Sequence, residues 1–97
     1  MIARHVIVRG RVQGVGFRYA LVDAATMMGA AGWVRNRRDG AVEAVFAGPT
    51  AAVDAMIGAC RRGPPGARVD AIDEEEATPD LLRQRQPGEM FSVLATV

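Results

Sequence analysis

Apolar and polar positions alternate over residues 4–12 (RHVIVRGRV), with Val6 and Val8 on one side and His5 and Ile7 on the other. A period of two predicts a strand with one face in the core. The period then changes. Phe17, Leu21, Ala24 and Met28 share one stripe of a helix, and Gly29 is a suitable stop. Residues 32–36 (GWVRN) are short, aromatic and strand-like, and Asp39 followed by Gly40 signals a hairpin turn. Residues 41–47 alternate as the return strand, with Val42, Ala44 and Phe46 on one face. Gly48 and Pro49 punctuate the chain, and proline suits the first helical position. Val53, Met56, Ile57 and Cys60 then recur at the spacing of an amphipathic helix that ends near Gly63, before Pro64 and Pro65. Residues 67–76 predict a strand running into acid, residues 78–89 (TPDLLRQRQPGE) a loop with one helical turn, and residues 91–97 a closing strand.

The order is β-α-β-β-α-β plus a terminal strand. It predicts an α+β, ferredoxin-like split βαβ sandwich, with two crossover helices on one face of an antiparallel sheet. That arrangement carries no function by itself. In it, Cys60 and the pair Met27 and Met28 are expected in the core and Trp33 in packing. His5 is expected at the strand surface, and Arg35, Arg37 and Arg38 at a solvated hairpin tip that could also speed the arrival of anions. The acid at Asp70 and residues 73–76 is expected to be solvated.

Composition narrows the function classes. A chain of 97 residues has the size of one domain, spanning 1–97, and 49% apolar with 24% charged residues is ordinary for a globular protein. A net charge of +1 is too small for a strong non-specific binder of nucleic acid or membranes. One cysteine excludes an internal disulfide, and one histidine excludes the usual Cys/His zinc site; no cofactor is expected. The N-terminus lacks the pattern of a signal peptide, and no apolar run approaches the ~18 residues of a membrane span. A cytoplasmic monomer is expected.

The unusual stretch is GRVQGVGFRY, residues 10–19, in which three glycines precede an arginine between a strand and a helix. The first turn of a helix has free N–H groups, and with the helix dipole they favour an anion. Glycines at positive φ let the preceding loop turn its own N–H groups inward. Gln13, Gly14, Val15, Gly16, Phe17 and Arg18 could thus wrap a phosphate in backbone donors, with the Arg18 guanidinium binding two oxygens. This is neither of the common glycine codes. A Walker loop needs a lysine, and the chain has none; a dinucleotide fingerprint needs a third glycine where Tyr19 stands.

VxGRVQGVGFR (residues 8–18), GWVRN (32–36), DGxVE (39–43), GP at Gly48 and Pro49, and GPP (63–65) resemble the acylphosphatase family in order and spacing. The closing FSVLATV fits too. The resemblance implies hydrolysis of acyl phosphates to a carboxylate and inorganic phosphate without metal. It also implies that Arg18 binds the phosphate, that Asn36 orients the attacking water, and that the loop residues supply the cradle.

The residues suit that chemistry. A carboxylate leaves an acyl phosphate without needing a proton, so no general acid is required, and phosphoryl transfer depends on positioning and charge stabilisation. Asn36 offers a carbonyl to water and an amide to phosphate. Neither VQGVGFR nor GWVRN contains an acid that would repel a dianion. No side chain is an evident base, which leaves the substrate's own phosphate oxygen to take the proton. Two rival readings are an acylphosphatase-like module handling carbamoyl phosphate within a larger carbamoyltransferase, and an RNA-binding ferredoxin-like domain. The first is expected to come with further zinc-finger or catalytic segments. The second needs stacking aromatics on the central strands, where the third strand offers only Phe46, at core parity.

Overall fold

The computed structural model describes residues 1–97. Eight elements follow in the order β1 (Ile2–Arg11), α1 (Phe17–Met28), β2 (Ala31–Asn36), β3 (Val42–Gly48), α2 (Thr50–Arg62), β4 (Arg68–Glu76), α3 (Pro79–Leu82) and β5 (Phe91–Val93). The strands form one sheet in the order β4-β1-β3-β2-β5. The first four are antiparallel to their neighbours, whereas β5 runs parallel to β2, so the sheet is mixed rather than wholly antiparallel. The α+β ferredoxin-like arrangement is present, with α1 and α2 as its two crossovers.

Val6, Val8, Val34, Val42, Ala44 and Phe46 from the sheet meet Phe17, Leu21 and Ala25 of α1 and Val53, Met56, Ile57 and Cys60 of α2 in one core. The stripe on α1 differs from the expected one. Met27 is 80% exposed and Met28 45%, so neither fills the core. The chain turns in the left-handed conformation at Gly29 (φ 70°), and Ala30 rather than Met28 closes that end of the core.

The opposite face of the sheet is also covered, which explains why all of β3 is buried. Trp33, Val45 and Ala77 pack there with Leu81, Leu82 and Leu94, and the Trp33 Nε1 donates to the Leu81 carbonyl at 2.6 Å. The single turn of α3 is capped by Thr78, whose hydroxyl accepts from the Leu81 N–H, and it starts with Pro79. This cover changes the fate of polar residues with outward parity. Arg35 does not sit at a solvated tip, and His5 is not a surface residue: both turn onto Glu43, which is 5% exposed. The Arg35 Nε and the His5 Nε2 each lie 2.7 Å from a Glu43 carboxylate oxygen, and the Arg35 guanidinium lies 4.6 Å from the centre of the Trp33 ring. The closing strand is shorter than expected. Past Val93 the chain keeps single bonds, from the Leu94 N–H to the Val34 carbonyl and from the Val97 N–H to the Asn36 carbonyl.

Candidate active site

β1 ends at Arg11, and residues 13–16 carry the chain to the start of α1. Gly14 (φ 73°) and Gly16 (φ 81°) both take the left-handed conformation. A Cβ at either would meet no protein atom within 4 Å, so it is the left-handed turn and not crowding by the protein that calls for glycine here. Gly16 is the N-cap of α1 and offers no side chain to the helix start. No N–H of residues 13–16 donates to a protein acceptor, and the first turn of α1 has no acidic residue. Consecutive backbone donors are therefore left open at the positive end of a helix dipole.

Arg18 lies in the first turn of α1. The molecule's ion pairs involve His5, Arg9, Arg35, Arg37, Arg61, Arg68 and Arg83, and Arg18 is in none of them. Asn36, the last residue of β2, faces the same space with its side-chain amide unbonded to the protein, and its backbone pairs with Val42 of β3. Gln13, Gly14, Gly16, Phe17, Arg18 and Asn36 together line a cleft of about 190 Å³, joined by Val12 and Tyr19. Three larger grooves, of about 530, 520 and 360 Å³, lie along the 82–90 segment, beside the N-terminus, and between α1 and residues 89–91. None contains a run of open backbone donors, so the smaller cleft is the better anion site.

The neighbouring acid is neutralised. The Asp39 carboxylate accepts the Ala41 N–H at 3.0 Å and lies 3.2 Å from the Arg37 Nε and 3.6 Å from Arg9. The Ala41 bond is the main cause that holds its carboxyl below the usual value, and the two arginines add to it. No group of three or more His, Cys, Asp or Glu side chains gathers that could hold a metal ion.

The comparisons with known proteins point the same way. The acylphosphatase family profile matches residues 4–85. An acylphosphatase from Rhodopseudomonas palustris is 57% identical over 96 residues, and one from Nitrobacter hamburgensis is 53% identical; each alignment spans 99% of this chain and 97% of the relative. The chain belongs to the acylphosphatase family. The crystal structure of acylphosphatase from Bacillus subtilis superimposes with a TM-score of 0.82 at 38% identity, covering 97% of this chain and 99% of that one.

Within this acylphosphatase fold the expected site residues converge, with one exception. The Val15 side chain packs partly buried against the core and does not line the cleft, so Val15 can contribute only its open backbone N–H. Tyr19 was missed by sequence reasoning. It is 77% exposed and stands at the cleft's edge because it follows Arg18 in the first helical turn, a placement that needs the helix start to be known to the residue. The Gln13 side chain also does something no local pattern signals: its Nε2 donates to two backbone carbonyls across the cleft, those of Arg37 and Ala41.

Proposed function

We propose that this chain carries out its family's reaction, the hydrolysis of acyl phosphates to a carboxylate and inorganic phosphate, in the cleft between residues 13–18 and Asn36. The observation that carries the reading is the meeting of unspent backbone N–H groups, an unpaired guanidinium and a free carboxamide in one small cleft. The N–H groups of residues 13–18 and the Arg18 guanidinium hold the phosphate oxygens and offset their charge. Asn36 accepts a hydrogen bond from water and holds it in line with the acyl oxygen. The water oxygen forms the new bond to phosphorus as the phosphorus–acyl oxygen bond breaks, and its electron pair leaves on the carboxylate. One water proton passes to a phosphate oxygen, so the step needs no protein acid or base, and the cradle supplies the charge stabilisation without a metal.

A small cleft lined by Asn36 and residues of the 12–19 segment suits small acyl phosphates. Residues 1–97 act as one domain, since every strand joins the same sheet. No helix is long and apolar enough to cross a membrane. A lone buried thiol suits the reducing cytoplasm.

The test is Arg18→Ala beside Arg18→Lys. Each charge-assisted hydrogen bond is worth about 1.5–3 kcal/mol, so losing two lowers kcat/KM by roughly 10²–10⁴-fold. Lysine recovers little, because an ammonium cannot bridge two oxygens. Inorganic phosphate, as product and competitive inhibitor, binds both variants more weakly. A lysine variant with near wild-type kcat/KM refutes the two-oxygen contact.

A further inference from the structure

The two halves of the cleft sit at the ends of β1 and β2, and these strands are not neighbours, because β3 lies between them. No ladder hydrogen bond sets one half directly against the other. Beyond the strand ends, the Gln13 side chain spans that gap. Its Nε2 donates to the Arg37 carbonyl at 2.7 Å and to the Ala41 carbonyl at 2.9 Å. Gln13 is the first residue of the glycine loop, and Arg37 directly follows Asn36. We propose that Gln13 is a positioning residue that sets the cradle holding the phosphate against Asn36 holding the water. The inference rests on the reaction proposed above.

Two features argue that the contact serves the cleft and not the turn. Both carbonyls already have a backbone donor: Gly40 N–H reaches the Arg37 carbonyl at 3.0 Å, and Arg37 N–H reaches the Ala41 carbonyl at 2.8 Å. The β2–β3 connection is thus closed without Gln13, and deleting the carboxamide leaves neither carbonyl unpaired. The two hydrogens of one nitrogen also go to two fixed acceptors, which defines the carboxamide's orientation as well as its distance, and because carbonyls only accept, Nε2 is the atom facing them. In-line attack is sensitive to such a tie, since a misplacement of about 1 Å can cost about 10²-fold in rate.

The experiment is a double-mutant cycle of Gln13→Met with Asn36→Ala, reading kcat and the inhibition constant of inorganic phosphate. Gln13→Met should lower kcat about tenfold or more and leave phosphate inhibition within about threefold, because Arg18 and the loop N–H groups remain. In the Asn36→Ala background the same change should alter kcat less than about twofold, since there is no longer a positioned water to misalign. A merely structural role would lower kcat by the same factor in both backgrounds, and that result overturns the proposal, as does an unchanged kcat in Gln13→Met alone. Asn36→Ala with wild-type kcat would instead refute the water-orienting reading, and the positioning role with it. If Gln13→Met does not fold, Gln13→Ala removes the paired donors without adding charge and completes the same cycle.

Discussion

Replacing Glu43 by glutamine should destabilise the protein by about 2 kcal/mol near neutral pH, and acid should erase the difference. The carboxylate is 5% exposed and receives the His5 Nε2 and the Arg35 Nε, each at 2.7 Å, with Arg37 at 4.0 Å. Breaking a buried charge pair costs about 3–5 kcal/mol when the remaining charge is stranded. Here the His5 and Arg35 side chains keep 12% and 16% of their exposure, so water relieves part of that penalty. Glutamine also retains one oxygen to accept from either partner, which brings the cost to about 2 kcal/mol; alanine should cost about 4. For a chain of this size 1 kcal/mol shifts Tm by about 4–8 °C, so the Glu43→Gln protein should melt roughly 8–16 °C lower. Burial works to raise the Glu43 carboxyl, but the hydrogen bonds from His5 and Arg35 and their charges outweigh it and leave it below its ordinary 4.5. A carboxyl depressed by folding contributes stability that is complete above its unfolded value and is lost as pH falls through the folded one. Wild type should therefore lose stability below about pH 4.5, where the unfolded carboxyl begins to protonate, and converge on the variant. Urea unfolding followed by circular dichroism at pH 7 and at pH 3 measures both effects. A difference under about 0.5 kcal/mol at pH 7, or one equally large at pH 3, refutes an ionic role for this cluster.

Asn36→Ala should lower kcat about 10²–10³-fold with little change in KM, and Asn36→Asp should do no better, because it adds negative charge beside a phosphate. In ¹⁸O-labelled water the wild-type label should enter the phosphate; label in the carboxylate would mean attack at carbon and would remove the role given to Asn36. Burial pushes the Cys60 thiol up to about 12, so a thiol reagent at pH 8 should leave the folded protein unmodified and label it in urea, and rapid labelling of the folded form would contradict the burial. The same shift works against the fold in alkali: the unfolded thiol ionises near 9 while the folded one does not, so stability should fall by up to about 1.4 kcal/mol per pH unit above that point, a decline that Cys60→Ala removes.

The elements and the chemistry that is local in the chain were legible before any fold was known. The alternation in β1, the stripe of Val53, Met56, Ile57 and Cys60, the turn at Asp39 and Gly40, and the glycine loop running into Arg18 are each written within a few successive residues. Short-range backbone geometry dictates them, whatever else the chain does. Features that depend on meetings between distant segments emerged only with packing. The parallel pairing of β5 with β2 and the burial of β3 on both faces follow from where the last third of the chain lies down. That cover turned His5 and Arg35, at positions whose parity reads as solvent, into partners of an enclosed carboxylate. The Gln13 contact joins residues 24 and 28 positions apart, at the ends of strands that a third strand separates. Periodicity tells which side of its own element a side chain leaves from, but a long polar side chain finds its partner only when packing brings another element within its reach.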